Sequence, residues 1–144
     1  MSKLKSLTIV FATKDQFFSE IEKVVDGNKK HQDEMTFSST QTFNKVLTTN
    51  RLEIIKAIAR QKPRSINQLA KILRREQPHV HKDCKYLELM GFITLHKNQG
   101  AKKQYTPKLS FEYDIIRVKN ENGEDDFFPI TMASNQVLLD AMAS

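Results

Sequence analysis

The chain carries a single cysteine, Cys84. That excludes an internal disulfide, a four-cysteine zinc site and a Cys2His2 zinc site. It fits a reducing compartment, and a cytoplasmic location is expected. No apolar run approaches the roughly 18 residues needed to cross a bilayer, so no membrane partner is expected. The opening residues MSKLKSLTIVFATKDQ hold only a short apolar patch and no small-residue cleavage pattern, so no signal peptide is expected. There is no Walker loop, no GxGxxG and no GxSxG, which removes the common phosphate cradles and the nucleophile elbow. Paired carboxylates, a catalytic triad and a metal-ligand cluster do not stand out either. No enzymatic activity, cofactor or bound metal is expected.

What is present is charge, unevenly placed. The chain has 144 residues, 39 % of them hydrophobic, and a formal net charge of +6. Such a length supports one domain with a core and appended segments. Between Phe37 and Tyr105 there are 14 Lys/Arg against 4 Asp/Glu, while the remainder is net acidic. A basic middle between acidic ends suits a module that binds a polyanion. A solvated lysine-rich surface would give the same count.

The hydrophobic pattern divides the chain. Leu4 to Ala12 reads as a strand, rich in β-branched residues. Residues 14–25 read as a helix, with Phe17, Phe18, Ile21, Val24 and Val25 at helical spacing and Gly27 as its stop. Met35 to Ser39 suits a short strand. A helical pattern begins near Thr42. In LTTNRLEIIKAIARQKP, Asn50 is the expected N-cap, with Glu53 at capping-box spacing. Leu52, Ile55, Ile58 and Ala59 form its apolar stripe, widened by Ile54, and Pro63 ends it. In RSINQLAKILRRE, Asn67 is the expected cap and Leu69, Ala70, Ile72 and Leu73 the core face. A third helix spans about Gln77 to Met90 and stops at Gly91. The period then changes to two, and ITLHKNQGAKKQYTP reads as a hairpin with a basic tip. Extended segments follow at Phe111–Val118 and Phe127–Thr131, and NQVLLDAM (135–142) reads as a short helix.

The third helix, QPHVHKDCKYLELM, gathers two histidines, an aspartate and the cysteine. At about 100° per residue, Val80, Cys84 and Leu87 fall on one stripe. Cys84 therefore reads as a small buried hydrophobe, which is a poor nucleophile and a poor redox switch. His79 and His81 point about 200° apart on that wheel and do not share a metal from one face. Pro78, His81, Lys82 and Lys85 lie opposite the core stripe, with His79 and Tyr86 at its flanks. Lysines there neutralise phosphates, and His or Gln reach base edges.

Helix, short extended pair, helix, short turn, basic helix and basic hairpin follow one another in the order of a winged helix-turn-helix. The expected fold class is α+β: a winged helix-turn-helix domain (37–109), an added N-terminal strand–helix unit (1–36) and an acidic C-terminal strand/helix extension (110–144). LEIIKAIARQKPRSINQLAKILRREQPHVHKDCKYLELMGFITL resembles the winged-helix module of MarR-like prokaryotic regulators, over roughly Asn44 to Tyr105. Leu69-Ala70, Val80, Asp83, Leu87 and Gly91-Phe92 carry the resemblance. It implies a prokaryotic, DNA-binding transcription regulator, expected to be a repressor and a homodimer. The long first and last helices that build the MarR dimer are missing here, so that dimer geometry is not carried over.

On this reading the partner is double-stranded DNA. Arg74 or Arg75, Lys82, Lys85, Lys97, Lys102 and Lys103 hold phosphates, and Gln77, His79 and His81 reach base edges. Asp83 would be repelled by DNA and is expected to orient a neighbouring basic side chain. The N-terminal unit or the C-terminal helix would build the dimer. The second reading is an antitoxin, or another interaction module, that binds a cognate toxin protein through its acidic C-terminal segment. The third is a winged helix that binds only protein or RNA, since fold does not fix function.

Overall fold

A computed structural model describes residues 5–11, 34–99, 104–120 and 123–131. The helices expected at 14–25 and 135–142 lie outside those residues. Six strands and four helices are present among them. In chain order they are β1 (Ser6–Phe11), β2 (Glu34–Phe37), α1 (Thr40–Val46), α2 (Thr49–Gln61), α3 (Ile66–Leu73), α4 (Gln77–Met90), β3 (Ile93–Lys97), β4 (Tyr105–Leu109), β5 (Ile115–Val118) and β6 (Asp126–Pro129). They form two units, one from both ends of the chain (1–45 and 113–144) and one from residues 46–112. The expected 1–36, 37–109 and 110–144 run consecutively. In the structure the first and last of these share a sheet.

That sheet has the order β2-β1-β5-β6. β1 pairs in parallel with both β2 and β5, and β5 pairs antiparallel with β6. The register sets Leu7 opposite Ile116 and Ile9 opposite Val118. All four are buried, so one face of the two central strands is continuously apolar. Ile115, one residue out of phase, is buried as well. Asp114 fastens one end of the sheet: its carboxylate accepts from the Lys5 N–H at 3.0 Å and from the Thr131 hydroxyl at 2.9 Å. Ser39 caps α1 by accepting from the Thr42 N–H at 3.2 Å. Phe43 then meets Phe37 and Phe11 edge to face, with ring centroids 5.4 and 6.1 Å away.

Residues 46–112 form a winged helix-turn-helix, three helices followed by the β3–β4 hairpin. Two caps differ from expectation. Thr48, not Asn50, caps α2, accepting from the Arg51 N–H at 3.3 Å. Glu53 lies near Lys56 at 3.6 Å instead of closing a capping box. Ser65, not Asn67, caps α3, accepting from the Gln68 N–H at 3.0 Å. Gln68 answers by accepting from the Arg64 N–H at 2.6 Å, a reciprocal cap shifted by one residue. The earlier start of each helix follows from the core. Ile54, Ile55, Ala57 and Ile58 of α2 and Ile66, Leu69 and Ala70 of α3 are the buried residues. The expected Leu52, Ala59, Ile72 and Leu73 are only half-buried.

α4 has the expected limits, with Pro78 in its first turn and Gly91 as its left-handed terminus. Val80, Cys84 and Leu87 are fully buried. Glu88 turns the chain into the wing by accepting from the Leu95 N–H at 2.9 Å. In the wing, the Asn98 N–H donates to the Gln104 carbonyl at 2.8 Å. Hydrogen-bonded pairs alternate in an antiparallel ladder, so Leu95 opposite Pro107 is a non-bonded pair. Pro107 therefore sits where its missing N–H costs no ladder bond.

Candidate nucleic-acid interface

α4 places its polar residues by the same periodicity that buries Val80, Cys84 and Leu87. Gln77, Pro78, His79, Lys82 and Lys85 are exposed, and His81 is half-buried. Leu89 also faces outward and is 81 % exposed, the large hydrophobic residue that stands out among the described ones. The first turn has no side-chain cap, Pro78 has no N–H and the His79 N–H donates to the Glu76 carbonyl at 3.1 Å, so the helix start offers chiefly the positive end of its dipole beside Gln77. His79 stands 3.9 Å from Glu76 across one turn, both mostly in solvent.

The orientation of α4 is fixed by a charged cluster behind this face. Asp83 accepts from Arg51 Nε at 3.3 Å and from an Arg75 Nη at 2.9 Å. The three side chains are 17, 19 and 25 % exposed. Arg51 also donates to the Val46 carbonyl at 2.9 Å and stacks on Tyr86, 4.0 Å from the ring centre. One carboxylate thus ties α4 to α2 and to the turn before it. Arg75, expected on a phosphate, is turned inward instead. Its second Nη is buried and has no hydrogen-bond partner among the described residues. Arg74, its neighbour, is exposed at the end of α3.

The wing is joined to this helix through Tyr105. Lys85 Nζ lies 4.9 Å from the centre of that ring, and Tyr105 is paired with the exposed Lys97 across the hairpin. The wing is also held to the α2–α3 turn. The Thr106 hydroxyl lies 2.7 Å from both the Arg64 carbonyl and Asn98 Oδ1, and Asn98 Nδ2 donates to the same carbonyl at 3.3 Å. Lys85, Lys97 and Arg64 are therefore gathered around one hairpin. Lys102 and Lys103 lie outside the described residues. Arg51, Tyr105 and Leu89 were not singled out in the sequence for these positions. Leu89 alone left a local signal, at about 180° from Val80 on the α4 wheel.

Cys84 does not belong to this surface. Burial, and then the neighbouring Asp83 charge, push its thiol up to about 12. Among the described residues no group of three His, Cys, Asp or Glu side chains converges as a metal site. No helix among them is long and apolar enough to cross a membrane.

A family model described as HVO_A0114 matches residues 46–118. No curated protein matches the chain. Of solved structures, the chain is similar to the disulfide-formed AbfR, at 14 % identity over 90 % of this chain and 73 % of that one, with a TM-score of 0.42. It is also similar to the Vibrio cholerae ferric uptake regulator (Fur), at 18 % identity over 72 % of this chain and 84 % of that one, with a TM-score of 0.39.

Proposed function

The chain belongs to the HVO_A0114 family, and from the surface of its winged unit we propose that it is a double-stranded-DNA-binding transcription regulator. The observation that carries this is the outer face of α4. Lys82 and Lys85 are exposed opposite the buried Val80–Cys84–Leu87 stripe, His79 is exposed at its flank and Gln77 at the helix start, beside a hairpin that carries Lys97. In this reading α4 enters the major groove and the hairpin follows a phosphate strand. Lys82, Lys85, Arg74, Lys97, Lys102 and Lys103 neutralise phosphates. Gln77, His79 and His81 meet base edges, and Leu89 offers the apolar contact that a thymine methyl takes. Arg75 acts through Asp83 by setting the pitch of α4. The regulator is a repressor and binds as a homodimer, one half-site per copy.

The antitoxin reading draws on the acidic 110–144 segment. Part of that acidity is used inside the β5–β6 turn. Asp125 accepts from Arg117 Nε at 2.8 Å, and Asn120 Nδ2 donates to the Glu124 carbonyl at 2.8 Å and to Asp126 at 3.2 Å. Such a turn favours a local structural role over a docking strip, which ranks this reading second.

The test is a mobility-shift titration against the chain's own promoter, with random duplex as competitor, at two salt concentrations. Retention of the shift at about 150 mM salt in competitor is the expected result for a specific regulator. A shift that vanishes with salt or competitor would overturn it.

A further inference from the structure

Three helices of the winged unit end in the left-handed conformation, and only one of them does so on glycine. α4 closes with the Gly91 N–H on the Glu88 carbonyl at 3.1 Å and the Phe92 N–H on the Leu87 carbonyl at 3.0 Å, with Gly91 at φ 92°. α3 closes with the same pair of bonds. The Arg74 N–H reaches the Lys71 carbonyl at 3.2 Å, and the Arg75 N–H reaches the Ala70 carbonyl at 3.0 Å. Here the left-handed residue is Arg74, at φ 55° and ψ 43°. α2 closes on Lys62, at φ 46° and ψ 60°, whose N–H donates to the Ile58 carbonyl at 3.2 Å. These two are the non-glycine residues with positive φ among those described.

A side chain at such a position crowds its own backbone, which is why glycine dominates there. The chain uses glycine where the position is only a cap. At the other two it keeps a long, positively charged, exposed side chain. A cation near a helix C-terminus recovers part of the loss through the dipole. Dipole and strain therefore make opposite predictions for a glycine substituted there.

Arg74 follows the last residue of α3, an eight-residue helix about 12 Å long, and Lys62 closes α2 at the start of the turn that leads into α3. In a helix-turn-helix the first helix of the pair crosses the sugar–phosphate backbone. Lys62 is two residues from Arg64, whose carbonyl is held by Asn98 and Thr106 of the wing. The α2–α3 turn thus borders the hairpin. We propose that Lys62 is a further phosphate-contact residue, gripping the backbone from the α2–α3 turn while Arg74 holds it from the far end of α3, and that the charge at both positions is kept against the backbone's own preference. This extends the DNA surface to the α2–α3 turn, and it rests on the DNA-binding reading above.

The test substitutes Lys62→Gly and Arg74→Gly singly in the full chain. It reads Tm and, with a random-sequence duplex over a series of salt concentrations, affinity. Each variant is expected to gain about 2–6 °C in Tm. Each should lose about 3–10-fold in affinity near 150 mM salt and show a salt slope shallower by about one. Lys62→Gln, which keeps the crowded backbone and removes the charge, should lose the same affinity without the gain in Tm. Wild-type affinity and slope in both glycine variants would overturn this inference alone. So would a fall in Tm, which would mean the cations are kept for the helix ends. Absence of duplex binding by the unsubstituted chain would overturn the DNA-binding reading, and this inference with it.

Discussion

Replacing Asp83 by alanine removes the one carboxylate shared by Arg51 and Arg75. Its two bonds differ, 2.9 Å to Arg75 and 3.3 Å to Arg51, so the first should dominate. A hydrogen bond to a charged group contributes about 1.5–3 kcal/mol when buried, and an exposed ion pair about 0–1 kcal/mol. With the three side chains 17 to 25 % exposed, an intermediate coupling of about 1–2 kcal/mol between Arg75 and Asp83 follows. The buried Arg75 nitrogen adds to the loss, because its guanidinium would keep part of its charge out of water with no counter-charge. Asp83→Ala should therefore destabilise the winged unit by about 2–3 kcal/mol, a fall of roughly 10–20 °C in Tm. The assay is a double-mutant cycle by urea denaturation with Asp83→Ala, Arg75→Ala and the pair. A coupling below about 0.3 kcal/mol, the level of an incidental surface pair, would refute the claim that this cluster fixes α4.

Cys84→Ser should cost about 1–3 kcal/mol, since it buries a hydroxyl at a fully enclosed position; a neutral result in denaturation would show the site to be wet. With its pKa raised from 9.0 to about 12, the Cys84 thiol should alkylate near pH 8 about a thousandfold more slowly in the folded chain than in urea. Equal rates would contradict its burial. Lys82→Ala should weaken all duplexes and make the salt slope shallower by about one; an unchanged slope would remove Lys82 from the phosphate contacts. The hydrogen bond from Arg117 holds the Asp125 carboxyl below its ordinary range. The stability it contributes is present above the unfolded value of 3.8 and is lost as pH falls below it through the folded value. Asp125→Asn should flatten that acid limb in a pH series of Tm, and an unaltered limb would refute the assignment.

The parts of this fold that could be read from the sequence are those with local causes. α4 and its stop were legible because Val80, Cys84, Leu87 and Gly91 encode one face and one end. The orienting role of Asp83 was legible from charge alone. The cap positions of α2 and α3 were not. Thr48 and Asn50, like Ser65 and Asn67, offer equivalent capping chemistry, and the choice is made by which isoleucines fill the core. The inward turn of Arg75 was hidden for a related reason. Arg74 and Arg75 are adjacent and chemically alike, and only the left-handed turn at Arg74 decides which one meets Asp83. Pairing of β1 with β5 left no local mark, because nothing in either strand specifies a partner so distant in the chain.

That pairing has a consequence for how the polypeptide matures on the ribosome. Lys5 and Asp114, bonded at 3.0 Å beside the β1–β5 ladder, are separated by 109 positions. At synthesis rates of about 5–20 residues per second, β1 emerges roughly 5–20 s before its inner partner exists. The helices of 46–112 are built from near neighbours and can close during that interval. Leu7 and Ile9, meanwhile, remain uncovered on a strand with an open edge. The nascent sheet, not the helical unit, is thus where chaperone engagement or misassembly should concentrate. Truncations that end before Ile115 should leave the strand of Leu7 and Ile9 without its inner neighbour.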